Sequence, residues 1–227
     1  MTEADLSALW VTLRLALIST IILLLLGTPL AWWLSRTQNR MKHWVEALVA
    51  LPLVLPPTVL GFYLLIALAP GGIIGGPWSV LSGASLAFSF SGLVIGSVLY
   101  SMPFVVQPMQ NAFSQLDGRL LEAASTLRAS PLNRFFSLVL PLSRRGLITA
   151  TTLGFAHTVG EFGVVLMIGG NIPGETQVLS IAIYDHVESL EYTQAHLLSA
   201  GLLVFSFVTL LLIYRLERRG TTRSDGT

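Results

Sequence analysis

Apolar residues in this chain gather into five long stretches, at about 9–34, 45–69, 85–106, 146–169 and 196–213, separated by more polar segments. A helix rising about 1.5 Å per residue needs roughly 18–20 apolar residues to cross a hydrocarbon layer about 30 Å thick. Each stretch meets that length. Backbone groups find no water inside a bilayer, so a spanning segment must bond to itself as a helix. Trp10 and the pair Trp32 and Trp33 bracket the first stretch, where amphipathic rings sit at headgroup level. The second contains Pro52, Pro56 and Pro57, which interrupt a helical hydrogen-bond ladder. Such a break is tolerated only against other helices or beside a cavity, so this stretch should face the interior. The pattern predicts an all-α integral membrane protein with five transmembrane helices, forming one domain over residues 1–227 with no separable soluble part.

The polar segments differ from one another. Residues 70–83 are glycine-rich and uncharged and read as a short outer loop. Residues 170–195 read as a second outer segment containing the turn Asn171-Ile172-Pro173-Gly174. The longest, about 109–145, has a helical pattern of its own. Asp117 is placed to cap a helix on which Leu120, Leu121, Ala124 and Leu127 share one face. Ser130 and Pro131 form a second start signal, with proline in the first turn where its missing N–H is no loss. Leu132, Phe135, Phe136 and Val139 continue as the apolar face of that second helix. The reading is a short helix–turn–helix, polar on one side and apolar on the other, suited to dock into a partner.

Charge orients the spans. If residues 35–43, 109–145 and the tail from 215 share one side, that side holds twelve of the thirteen lysines and arginines. The opposite side holds Glu3, Asp5, Glu175, Asp185, Glu188 and Glu191, with only Arg14 near its rim, a residue expected to snorkel to headgroups. The positive-inside rule then predicts the N-terminus outside and the C-terminus in the cytoplasm. The basic tail should contact anionic lipid, and residues 220–227 are expected to be disordered. The first stretch is too long, and too poor in basic residues before it, for a cleavable signal peptide.

Composition removes whole classes of function. The 227 residues are 53% hydrophobic and 11% charged, with mean hydropathy +0.72, whereas soluble domains carry about 25% charged residues. Cysteine is absent, which excludes disulfides and thiolate metal sites. No phosphate-binding G-x-x-x-x-G-K-[ST] run occurs, so any ATP-driven transport needs an ATPase on another chain. No nucleophile–base arrangement, no metal site and no nucleic-acid partner is expected. The chain therefore reads as a transporter subunit and not an enzyme, with no cofactor of its own.

Ionisable residues inside a span are functional candidates by default. His157 and Glu161 stand four apart, flanked by Gly160 and Gly163. They read either as gate or pathway residues, or as a Glu–His hydrogen bond or helix contact. A carboxylate repels an anion, so Glu161 is not expected to ligate one directly. For a dianion, backbone N–H groups, helix N-termini and hydroxyls are the natural ligands. The break at Pro56, Pro57 and Thr58, together with Thr158, supplies candidates, and Phe162 completes the set around Glu161.

Glu122-Ala123-Ala124, followed at fixed distance by Leu138-Val139-Leu140-Pro141, resembles the coupling loop of permease subunits in binding-protein-dependent ABC importers. The resemblance implies a type I importer fold and a loop that docks on the ATPase through Glu122, Ala123, Ala124, Leu127, Arg128, Ser130, Pro131, Leu140 and Pro141. Arg128 stands where the family usually has glycine. Either a left-handed backbone there costs roughly 1–2 kcal/mol, or Arg128 is helical and the turn falls at Ala129–Ser130. The likeness extends to residues 26–31, 51–59, Gly160-Glu161-Phe162-Gly163 and Asn171-Ile172-Pro173-Gly174-Glu175-Thr176, which are similar to molybdate importer permeases. It implies a homodimer in the bacterial inner membrane translocating molybdate or tungstate. Its partners would be two ATPase subunits carrying ATP and magnesium, and a periplasmic or lipid-anchored oxyanion-binding protein. A sulfate or thiosulfate permease is the second reading, and a secondary anion transporter the third.

Overall fold

The first helix, α1 (Glu3–Arg36), begins with a reciprocal cap: the Asp5 N–H donates to the Thr2 hydroxyl at 3.2 Å, and the Thr2 N–H donates to the Asp5 carboxylate at 2.6 Å. The computed structural model describes residues 2–128 and 130–218; the tail 220–227 lies outside them. Eleven further α-helical segments follow: α2 (Met41–Val54), α3 (Pro57–Leu68), α4 (Gly75–Ser82), α5 (Phe90–Ser114), α6 (Gly118–Thr126), α7 (Pro131–Arg134), α8 (Leu140–Leu142), α9 (Arg144–Val159), α10 (Gly163–Gly169), α11 (Leu179–Glu188) and α12 (Tyr192–Arg218). A π-helical turn, Phe135–Val139, joins α7 to α8.

The chain is helical throughout, with no strand among the described residues. Three helices, α1, α5 and α12, are long and apolar enough to cross a membrane; the count rises to five if each of two bent pairs forms one span. The bends depart from the simple pattern of five straight helices. The stretch at 45–69 is α2 and α3 meeting at 114°, because Pro56 and Pro57 remove two backbone donors and push Leu55 into extended backbone. The stretch at 146–169 is α9 and α10 meeting at 58°. The loop expected at 70–83 is not wholly irregular: it folds into α4, closed by Gly83 in the left-handed region at φ 71°.

Helices α1, α5 and α9 pack together as the centre of the molecule. One apolar cluster joins Leu23, Ala31 and Leu34 of α1 to Val105, Met109 and Phe113 of α5 and Ala150 of α9. A second, towards the start of α1, joins Val11 and Leu15 to Leu93, Val164, Ile168 and Ile181. Lipid tails are as apolar as leucine, so close packing and small residues hold such helices together more than water exclusion does. Accordingly Ser19, Thr20, Ser97 and Ser101 are buried between helices. Gly154 meets α5 so closely that a Cβ there would lie 2.6 Å from Cγ2 of Val105. Arg14 does more than reach outward: its guanidinium lies over the Phe90 ring, 4.4 Å from the centroid.

Ties at both ends fix the bundle. The Thr12 hydroxyl accepts the Leu179 N–H at 2.7 Å, giving α11 a cap from α1. His186 lies 2.8 Å from both Asp5 and Glu191. The 171–176 run closes on itself through Thr176, whose hydroxyl donates to the Gly169 carbonyl at 2.6 Å and accepts the Ile172 N–H at 3.0 Å. At the other end, the Arg36 guanidinium donates to the Phe113 carbonyl at 3.2 Å, and Gln110 donates to Glu46 at 2.7 Å.

Candidate functional site

The break between α9 and α10 opens a cavity. Helix α9 stops at Val159, Gly160 closes it by donating to the Ala156 carbonyl at 3.2 Å, and Phe162 turns the chain at φ −131°, ψ −66°. The next helix starts at Gly163, which approaches Pro57 so tightly that a Cβ would lie 2.8 Å from the proline ring. The two breaks in the chain, at 55–57 and at 160–162, thus face each other. Between them lies a space of about 470 Å³ lined by Pro57, Thr58, Tyr100, His157, Glu161 and Phe162, with Ala156, Gly160 and Gly163 completing the wall.

Seven of the nine sequence-derived pathway residues line this space. Pro56 and Thr158 do not. Pro56 sits before the first turn of α3 and accepts the Val59 and Leu60 N–H groups. Thr158 is buried on the opposite side of α9, where its hydroxyl donates to the Gly154 carbonyl at 3.0 Å and lies 3.1 Å from Ser101. It serves helix packing, because α9 turns it towards α5.

His157 and Glu161 do not form a hydrogen bond with each other among the described residues. The helix that would have put them one turn apart ends between them. The His157 Nδ1 instead lies 2.8 Å from the Ser101 hydroxyl, and its ring stacks on Phe104 with centroids 3.9 Å apart. Tyr100 flanks it at 4.8 Å. Glu161 is 3% exposed, and neither carboxylate oxygen has a partner among the described residues. A carboxyl group so placed is costly, and the surroundings hold its backbone firmly. The Ser180 hydroxyl of α11 donates to the Glu161 carbonyl, and Phe162 packs against Tyr184 at 5.2 Å. The missed residues, Tyr100, Ser101 and Phe104, all lie beside Pro103 in α5. A hydroxyl and two aromatics around a proline inside a span were the signal available, of the same kind as Pro56-Pro57-Thr58.

The second candidate lies at the far end of the bundle. Asp117 caps α6 by accepting the Arg119 N–H at 2.9 Å, and Ser130 caps α7 by accepting the Asn133 N–H at 3.2 Å. Arg128 settles the two readings of this turn: its φ of 56° is left-handed, the conformation that glycine adopts freely. Of the alternative turn at Ala129–Ser130, Ala129 lies outside the described residues. Arg134 ties the two helices by donating to the Ser125 hydroxyl at 2.8 Å.

No residue of α6 or α7 is buried. The apolar side chains divide instead between two directions. Leu121, Phe135 and Val139 face the membrane domain, with Phe135 set edge-on to Trp32 at 5.8 Å. Leu127 and Leu132 are 83% and 71% exposed, and Glu122, Ala123 and Phe136 lie on the exposed surface with them. The turn ends in Leu140 and Pro141 at the head of α8.

The architecture thus sets broken spans around a cavity and an exposed helical pair at one end. A family model described as "Binding-protein-dependent transport system inner membrane component" matches residues 24–221. The chain belongs to this family. The permease is 57% identical over 218 residues to the molybdenum transport system permease protein ModB of Azotobacter vinelandii, covering 96% of each chain. It is 35% identical to ModB of Haemophilus influenzae, covering 95% and 94%. It is 34% identical to a probable sulfate transport system permease protein of Zygnema circumcarinatum, covering 96% of this chain and 76% of that one. A solved bacterial alginate ABC transporter matches in fold with TM-score 0.76 at 17% identity, covering 96% and 80%. The MetNI methionine ABC transporter in inward-facing conformations matches with TM-score 0.69 at 19% identity, covering 96% and 99%. The permease is thus an inner-membrane transport component with a type I importer fold, and its relatives are transporter subunits rather than enzymes.

Proposed function

We propose that the permease carries molybdate, with tungstate as the analogous tetrahedral dianion, across the bacterial cytoplasmic membrane by alternating access. The observation that carries the cargo is the 57% identity over nearly the whole of both chains to a molybdenum permease, against 34% for a sulfate permease. In this reading the working unit is a homodimer fed by a periplasmic or lipid-anchored binding protein. Two ATPase subunits beneath it hold ATP and magnesium. The segregation of basic residues supports an outside N-terminus and a cytoplasmic C-terminus.

ATPase closure pulls on the docked segment 117–141. Glu122 anchors it, Ala123 and Ala124 permit close approach, and Leu127, Leu132 and Phe136 gain the cover they lack in this chain. Phe135 and Val139, packed into the membrane domain, pass the movement to α1 and α5 as a rigid-body shift. At the cavity, the Thr58 hydroxyl, the first turn of α3 and His157 offer favourable groups to an anion. Glu161, buried at the break between α9 and α10 with neither carboxylate oxygen partnered among the described residues, acts as a gate residue rather than a ligand.

Reconstituted vesicles containing the permease, its ATPase and loaded binding protein test this. Molybdate uptake should follow ATP hydrolysis and resist competition by excess sulfate, while Ala124→Asp should abolish both stimulated hydrolysis and uptake in a complex that still inserts and dimerises. Sulfate uptake that displaces molybdate would overturn the cargo, and uptake without the ATPase would overturn the coupling.

A further inference from the structure

The α9 helix has the cavity described above at its C-terminal end. At its N-terminal end, about 24 Å away along 16 residues, lies a larger space that transport as proposed leaves without a task. Its volume is about 720 Å³, and it is an open cleft bordered by the end of α5, the α8 turn and the start of α9. Gly146 brings α9 against α5 at its base, where a Cβ would lie 2.3 Å from that of Ala112.

The chemistry of the walls is one-sided. Asn111 comes from α5 and Gln115 from the residue just after it; Ser143 stands just before α9, and Arg144, Arg145 and Thr149 come from its start. Among the described residues no acidic side chain lines it. The first turn of a 16-residue helix, whose N-cap makes no side-chain bond, adds partial positive charge. Ser143 is the second, independent sign. A serine in the N-cap position ordinarily spends its hydroxyl on an N–H of its own first turn. Here it makes no such bond; Ser143 is 3% exposed, and its hydroxyl has no partner among the described residues. A buried free hydroxyl, an uncapped helix start and two guanidinium groups converge on one space.

We propose that this space is a second oxyanion site, on the cytoplasmic side, which binds a tetrahedral oxyanion through Ser143, Arg144, Arg145 and the α9 N-terminus. The assignment to the cytoplasmic side rests on the topology of the transport reading; the site itself does not. Two sources share the chemistry: a free dianion leaving the pathway, or the phosphate of an anionic lipid headgroup.

The absence of native cysteine makes a site-specific test clean. The full chain, purified with its ATPase subunits, carries Gln115→Cys at the rim of the space, and its labelling rate by neutral N-ethylmaleimide is followed. Molybdate, sulfate and inorganic phosphate are added in detergent. The same protein is then placed in nanodiscs of phosphatidylglycerol or of phosphatidylcholine. Saturable protection by the free anions assigns the dianion; protection only in phosphatidylglycerol assigns the lipid phosphate. Either supports the site, provided that Arg144→Gln with Arg145→Gln weakens protection by about tenfold or more, as the loss of charged hydrogen bonds requires. Ser143→Ala, a smaller change that preserves the charge, should weaken it in the same direction. No protection in any medium, or protection unchanged in both variants, overturns the proposal. Molybdate uptake by the parent complex is scored separately, so failure here leaves the transport reading standing.

Discussion

Replacing Arg128 by glycine should stiffen the coupling segment. Arg128 holds φ at 56° between α6 and α7, and its exposed side chain makes no hydrogen bond or ion pair among the described residues. A left-handed backbone costs a non-glycine residue about 1–2 kcal/mol. Glycine removes that strain but gives back roughly 0.5–1 kcal/mol through its greater freedom when the segment opens. The midpoints leave a gain of about 0.75 kcal/mol, which corresponds to roughly three- to fourfold slower local opening. Amide hydrogen exchange over residues 118–134 reads this directly, with Arg128→Ala as control. Alanine also loses the charge but keeps the strain, so its exchange should match the parent. Equal slowing in both variants would mean that charge, not backbone conformation, governs the turn. Unchanged or faster exchange in Arg128→Gly would refute the strain argument.

Three further outcomes follow from other contacts. Gly154→Val should force α9 off α5 and lower stability by about 1–3 kcal/mol, as overpacking does, with Val105→Ala in the same chain restoring much of the lost melting temperature. Glu161→Gln should leave assembly intact and change uptake or its coupling to ATP hydrolysis, measured in vesicles; identical uptake and stability would make Glu161 a tolerated wall residue. The contact of His186 with Asp5, helped by Glu191 and opposed by partial burial, holds its imidazole above the ordinary histidine range. Its stabilisation is then complete below the unfolded histidine pKa and is lost as pH rises through the raised folded value. The melting temperature should therefore fall across that alkaline step in the parent, and Asp5→Asn should flatten the step.

Local rules were readable where they act locally. Asp117, Ser130 and Pro131 announce helix starts because a cap involves residues two or three apart, and the structure shows those caps formed. The run of apolar residues announces α1, α5 and α12 for the same reason. The bends were legible as prolines and glycines, but not as angles. The 114° turn at 55–57 and the facing turn at 160–162 are set by packing between α3 and α10, about a hundred residues apart. Ser101 meeting His157 is a contact across 56 positions, and no periodicity within α5 encodes which helix it will meet. Thr158 lies apart from the cavity for a related reason: a hydroxyl beside His157 looks equally available for cargo or packing until the direction of α9 is known.

The π-helical turn at Phe135–Val139 bears on how such a permease changes over time. A π turn holds one residue more than the α-helix around it and takes that residue up locally, so deleting one residue there restores regular helix while the flanking turns keep their directions. A lineage could therefore gain or lose a single codon at this turn and leave both the docking face on one side and the membrane-embedded packing on the other in place.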